Sequence, residues 1–245
     1  MSRYYEIDGK QYASVTTIIK DCTDNSGPLT QWSSNMCKLW IQENCQVETG
    51  LSFEHYIVTE KDLDEMRFNF KTVSQKALDI GSEVHNAIEM YLQNKPFKLT
   101  TKEADFAFGA FLHWKSEHKL TPISLEQTVF GNSWAGTLDF YGYFNDKLYV
   151  IDWKSSKAHY PEMRYQVAAY RGAMQDKNDE DFLSIVHDYK GHIIQGCGVL
   201  RLDKETGMPD WKDTSKTYES DLKVFNAMVD LYLLRHPRIA KKLEG

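Results

Sequence analysis

The stretch Trp134–Lys154, WAGTLDFYGYFNDKLYVIDWK, decides the fold. Side chains on either side of Asn145-Asp146 alternate with a period of two, and that pair suits a two-residue hairpin turn. With this turn Phe144 faces Lys147, and paired residue numbers sum to 291. Asp139 and Asp152 obey the same sum, so the register sets two carboxylates opposite each other on one face of the sheet. Cross-strand partners have Cβ atoms about 4.5–5.5 Å apart, where like charges repel. Lys154, two residues beyond Asp152, shares that face. Two carboxylates and one ammonium on one patch suit a hard divalent cation and its water.

The rest of the hairpin is apolar on both sides. Tyr141, Tyr143, Leu148 and Val150 share the charged face. Leu138, Phe140, Phe144, Tyr149, Ile151 and Trp153 make the other. A sheet apolar on both faces needs helices on both, which predicts an α/β chain with a three-layer αβα sandwich. Asp139, Asp152 and Lys154 would be costly to bury there without a role.

Outward from the hairpin, residues 123–130 read as a preceding strand. Residues 74–94 and 102–119 read as amphipathic helices. Pro161 opens a helix running to about Met174, 192–202 is a strand, and 216–235 a final helix. Toward the N-terminus, 3–13 reads as a hairpin around Asp8-Gly9, and Ser14–Ile19 opens a short helix. Residues 28–47 read as a helix, and the acidic stretch 54–65 as a surface segment. No linker-like stretch breaks the chain, so one domain, 1–245, is expected: a mainly helical extension, 1–73, packed on a core of 74–245.

At 245 residues, with 42% hydrophobic and 13% aromatic content, the chain is long enough for a sizeable core. Composition excludes collagenous, disordered and solenoid classes. No apolar run spans a membrane and no secretory signal opens the chain, which predicts a cytoplasmic protein without membrane contact. The four cysteines lack C-x-x-C spacing and read as free thiols. A net charge of −6 argues against a surface that grips nucleic acid everywhere. The charge is uneven, however. Residues 1–70 hold 6 Lys/Arg against 11 Asp/Glu, whereas 146–171 hold 5 against 3. A local basic groove with Lys157, Arg164 and Arg171 is therefore the expected place for an anionic partner.

Other candidates carry two readings each. His85, one turn after Gly81, is either a metal ligand or a packed histidine beside Val84, Ile88 and Tyr91. Gln166 and Tyr170 stand at i, i+4 on one helix face, as site residues or as ordinary packing with polar tips. Glu126 is a third carboxylate or an exposed strand residue. Phe106, Phe108, Phe111 and Trp114 read as core, with a base-stacking wall over a nucleic-acid strand as the alternative.

Gly81-Ser-Glu-Val-His85, Glu126, Gly136-Thr-Leu-Asp139, Val150-Ile-Asp152-Trp-Lys154-Ser and Gln166-Val-Ala-Ala-Tyr170 together resemble the motif series of RecB-type PD-(D/E)XK nucleases. Within that superfamily the resemblance is to the phage and mitochondrial genome-maintenance exonucleases and to CRISPR-associated adaptation exonucleases. Tyr12–Ile19 followed by Leu29–Trp32 resembles the opening of those proteins. Two departures stand out: Leu138 occupies the nominal proline position, and Cys197 is the only cysteine beyond residue 176.

The resemblance implies a restriction-endonuclease-like αβββαβ core. It implies Mg²⁺ or Mn²⁺ held by Asp139, Asp152, the Trp153 backbone carbonyl and His85, with Glu126 as a further ligand. Lys154 would orient the attacking water, Gln166 would position Lys154 or substrate, and Tyr170 would contact the DNA backbone, with Lys157 and Arg164 nearby. No iron–sulfur cluster is expected, because the C-terminal cysteine triplet of several relatives is missing. The implied activity is metal-dependent hydrolysis of DNA, as an exonuclease on single-stranded or frayed ends. Such an enzyme suits DNA recombination or repair and a phage source. The alternatives are a structure-specific endonuclease, or a non-catalytic nucleic-acid-binding or protein-interaction module of the same fold.

Overall fold

A computed structural model describes residues 4–24, 26–49, 54–176 and 193–239. β1 (Tyr4–Ile7) and β2 (Lys10–Ser14) form the expected hairpin, with Asp8 and Gly9 both at positive φ. Ser14 caps α1 (Val15–Cys22), its side-chain oxygen accepting the Thr17 amide at 3.0 Å. There follow α2 (Ser26–Asn44), β3 (Gln46–Thr49), β4 (Glu54–Ile57), α3 (Glu60–Leu92) and α4 (Lys102–Ser116). Then come β5 (Leu120–Phe130), β6 (Trp134–Phe144), β7 (Lys147–Lys154), α5 (Pro161–Asp176), β8 (Gly196–Leu202), β9 (Pro209–Asp213) and α6 (Tyr218–Arg235). The fold is mixed α/β. Among the described residues no helix is long and apolar enough to cross a membrane.

The chain forms two compact units, Asp24–Ile80 and the combination of Met1–Thr23 with Gly81–Gly245. The N-terminal hairpin and α1, part of the extension 1–73 expected to pack on the core, thus share a unit with the large sheet. Within Asp24–Ile80, β3 and β4 pair antiparallel. There α2 is tied to the first part of α3 by Asn69 Nδ2, which donates to Met36 O at 3.1 Å. Trp32 and Phe70 meet edge to face across the same pair.

Two elements correct the sequence reading. The acidic stretch 54–65 is not merely surface: it holds β4 and the start of α3. Thr59 and Asp62 form a reciprocal cap, with Thr59 N donating to Asp62 Oδ2 at 2.8 Å and Asp62 N to Thr59 Oγ1 at 3.3 Å. Glu60 and Asp62 then sit at the positive end of the helix dipole. The strand β9 was not anticipated, and the strand read as 192–202 begins at Gly196; His192 lies outside the described residues.

The large sheet has seven strands, in the order β1-β2-β6-β7-β8-β9, with β5 also on β6. The hairpin register is the expected one, from Phe144↔Lys147 to Phe140↔Ile151. β5 runs along one edge of β6 from Leu120↔Phe144 to Phe130↔Ala135. The other edge is shared. β7 takes Phe140–Phe144, and β2 takes Trp134 and Ala135. Between them, Gly136, Thr137, Leu138 and Asp139 have no strand neighbour on that side, because β7 leaves β6 to run parallel to β8 as far as Lys154↔Arg201. The gap in the sheet is where the candidate site lies.

Helices cover both faces. Val150, Cys197 and Val199 pack in one core with Ile18 of α1, Val167 and Ala169 of α5, and Phe225 of α6; Leu138, expected beside Phe140, also joins it. On the opposite face Trp153 meets Phe111, and Phe144 stacks on Trp114 at 5.2 Å. Phe108, Phe111 and Trp114 of α4 are therefore buried core, as read, and do not form a wall for bases.

Candidate functional site

The β5–β6 ladder pairs Leu125 with Phe140 and Gln127 with Leu138, which leaves Glu126 opposite Asp139. The β6–β7 ladder ends at Phe140↔Ile151, one step before Asp139 and Asp152. Glu126 and Asp139 are thus cross-strand neighbours, whereas Asp152 stands past the end of the β6–β7 ladder, so the expected pairing of Asp139 with Asp152 does not form. Glu126 holds its place with φ of +47°, a conformation that costs a non-glycine residue energy. The sequence offered Glu126 only as a candidate. Its register opposite Asp139 becomes readable once β5 is extended to Leu120.

Asp139 is buried and uses both oxygens. Oδ2 accepts the Trp153 amide at 2.6 Å, and Oδ1 lies 3.3 Å from His85 Nδ1. The carboxylate thus replaces the main-chain acceptor that Trp153 loses where β7 leaves β6. Trp153 meets the site through its amide in this way. His85, from α3, also stands 3.6 Å from Glu126 Oε1. Ligand atoms of His85, Glu126 and Asp139 all lie within 4.8 Å of one another.

Asp152 is 1% exposed, and its Oδ2 forms a 2.6 Å ion pair with Lys154 Nζ that lacks hydrogen-bond alignment. Its Oδ1 meets no hydrogen-bond partner among the described residues. The five candidates therefore fall into two groups: Asp139 with His85 and Glu126, and Asp152 with Lys154.

Charge follows the same division. Burial raises the Asp152 carboxyl, Lys154 offsets part of that rise and Asp139 adds to it; the group is pushed up to about 7. Burial would also raise Asp139, but His85, Lys154 and the Trp153 amide hold it below the ordinary range. Burial opposes the charge on His85, yet Asp139 and Glu126 raise it to about 10. Lys154 is likewise opposed by burial and held charged by Asp152 and Asp139. An ammonium in this state donates and stabilises anions; it does not accept a proton.

Tyr170 and Gln166 do meet. Gln166 Nε2 donates to the Tyr170 hydroxyl at 2.9 Å. The Tyr170 ring covers Gly136 in the sheet gap so closely that a Cβ there would stand 2.5 Å from the ring. Burial and the Asp152 charge keep its hydroxyl protonated. Gly81 is approached by Ser155 Oγ, 3.4 Å from where a Cβ would sit, so the loop after Lys154 passes close to this glycine.

Lys157, Arg164 and Arg171 of the basic stretch each have a partner within the protein. Lys157 faces Glu205 at 3.8 Å, and Arg164 lies 3.6 Å from buried Asp221. Arg171 donates to Ile194 O at 2.9 Å and stacks on Tyr218. Arg201, which the sequence reading passed over, donates from Nη1 to Lys157 O at 3.3 Å and pairs with Asp203 and Asp210. It thereby ties the loop after Lys154 to the sheet.

The donor set suits an oxygen-preferring divalent cation. His85, Glu126 and Asp139 offer two carboxylates and one imidazole, and beside them Asp152 Oδ1 has no hydrogen-bond partner among the described residues. No family model matches the chain, and no curated protein matches it.

Proposed function

We propose that the protein is a metal-dependent deoxyribonuclease with a restriction-endonuclease-like core, acting as an exonuclease on single-stranded or frayed ends. The observation that carries this reading is the cluster of Glu126, Asp139 and Asp152, with Lys154 beside it and Asp152 Oδ1 without a hydrogen-bond partner among the described residues. Clustered carboxylates of which two are buried cost stability, and binding nucleic acid does not require them.

Asp139, Asp152, Glu126 and His85 would hold Mg²⁺ or Mn²⁺. When bound, the cation would lower the pKa of a water and draw charge from the scissile phosphate. Trp153 N–H and His85 fix both oxygens of Asp139, so this carboxylate keeps one orientation. Lys154, charged and two residues beyond Asp152, donates to the developing oxyanion. Tyr170, pinned between Gln166 and Gly136, offers a neutral hydroxyl to a phosphate oxygen.

The test compares end-labelled linear and circular single-stranded DNA in Mg²⁺, Mn²⁺ or EDTA. Release of end nucleotides from the linear form alone, stopped by EDTA, is the expected result. Cutting of the circle indicates an endonuclease. No metal-dependent cutting of either overturns the reading.

One observation favours a second reading, a non-catalytic module of the same fold. The charged groups already pair with each other, His85 with Asp139 and Lys154 with Asp152. A module of this kind binds DNA equally well with and without divalent cation.

A further inference from the structure

The lateral row that starts at Asp152 continues across the sheet. Asp152 is paired with Val199 in the parallel β7–β8 ladder, and Val199 with Lys212 in the antiparallel β8–β9 ladder. Lateral partners share a face. One lateral row therefore runs from acidic Asp152, which stands across the gap from Asp139, to basic Lys212. At about 4.8 Å per strand, the Cα atoms of Asp152 and Lys212 are roughly 10 Å apart.

A cavity of about 280 Å³ opens at the Lys212 end. Its apolar lining includes Met163 and Val199; His159, Tyr160, Arg164 and Lys212 add polar groups. Two of these polar groups are held in place. His159 Nε2 sits 3.1 Å from Asp210 O and 3.4 Å from Asp210 Oδ2, and Arg164 lies 3.6 Å from Asp221. Lys212 is exposed and has no ion pair among the described residues. A guanidinium, an ammonium and an imidazole on a concave surface match the oxygens of a phosphate group.

We propose that this cavity holds a phosphate of the substrate strand next to the scissile one. The proposal rests on the nuclease reading above and deepens it. A strand whose scissile phosphate lies by Asp139, Asp152 and Lys154 carries its neighbouring phosphate along the row toward Lys212. The subsite fixes the register of cutting, with Arg164 and Lys212 as the residues that touch it.

The test uses single-stranded oligonucleotides in Mn²⁺, each with one uncharged methylphosphonate at a different position near the cleaved bond. Two further substrates end in a phosphate or a hydroxyl, to separate a terminal from an internal phosphate. Wild-type protein is expected to slow about tenfold when one particular neighbouring phosphate loses its charge, the size of one charge-assisted contact. Lys212→Ala is expected to cut unmodified DNA more slowly and to ignore that same substitution. Lys223→Ala, which removes an exposed lysine of α6, is expected to keep the wild-type profile. If wild type cuts but its profile matches that of Lys212→Ala, the subsite is overturned and the nuclease reading stands. The same holds if Lys223→Ala abolishes the response equally. If wild type does not cut in Mn²⁺, both are overturned.

Discussion

Asp139 Oδ2 accepts the Trp153 amide at 2.6 Å, across the point where β6 and β7 part. This bond lets β7 leave β6 for β8 without stranding a buried N–H, and it leaves Oδ1 facing His85. Asp139→Asn keeps an acceptor for that amide and Asp139→Ala does not. In the metal-free protein the alanine variant should be less stable than the asparagine variant by about 1–3 kcal/mol, the cost of an unsatisfied buried donor. Urea denaturation of the two variants checks this. Equal stability would show that the bond contributes nothing.

Gly136 leaves room for the Tyr170 ring, which a Cβ would meet at 2.5 Å. Gly136→Ala should cost about 1–3 kcal/mol, as overpacking does. In the Tyr170→Ala background the same substitution should cost much less. A double-mutant cycle by thermal or urea denaturation measures the difference, and strict additivity would remove Tyr170 from the gap.

Lys154 neutralises a carboxylate that is 1% exposed. Lys154→Ala should therefore abolish cleavage and also weaken the metal-free fold, because removal of one partner of a buried ion pair costs about 3–5 kcal/mol. Added Mn²⁺ should recover much of that stability by giving Asp152 a new counter-charge. Melting temperatures with Mn²⁺ and with EDTA provide the readout. A variant that cuts DNA at the wild-type rate would deny Lys154 its role.

The pH dependence follows from two raised groups. Burial pushes Asp152 to about 7, so its proton is held more tightly folded than unfolded. That contribution is complete below about pH 4 and is lost as pH rises through 7. Burial opposes the charge on His85, but Asp139 and Glu126 raise it to about 10; its contribution is complete below about pH 6.5 and is lost toward 10. Both signs agree. The melting temperature of metal-free protein should fall from pH 5 to pH 9, and the stabilisation given by Mg²⁺ should grow over the same range. A metal effect that shrinks as pH rises would contradict the charge assignment.

Much of this architecture was legible because it is local. The period of two, Asn145-Asp146 and Asp8-Gly9 are short-range signals, and they fixed both hairpins and the register through Phe140↔Ile151. The parting of β6 and β7 was not legible, since it depends on β8, a strand more than forty residues away in sequence. The division of the site into two ion-paired groups follows from that parting. The start of α3 carried a readable signal, the reciprocal cap of Thr59 and Asp62, that acidic composition masked. β9 gave little, beginning at a proline with Trp211 as its one large apolar side chain. Arg164 and Arg171 looked free in sequence because their partners, Asp221 and Ile194 O, are distant along the chain.

In the function proposed above, the carboxylates bind a divalent cation in order to cut DNA. The most direct measurement is the rate of nucleotide release from end-labelled linear single-stranded DNA in Mn²⁺, for wild type, Asp139→Asn and Asp152→Asn side by side. Cleavage by wild type that EDTA stops, with both variants at least about a hundredfold slower, is the predicted result. Wild-type protein that leaves the DNA intact, or asparagine variants that cut it as fast as wild type, would contradict it.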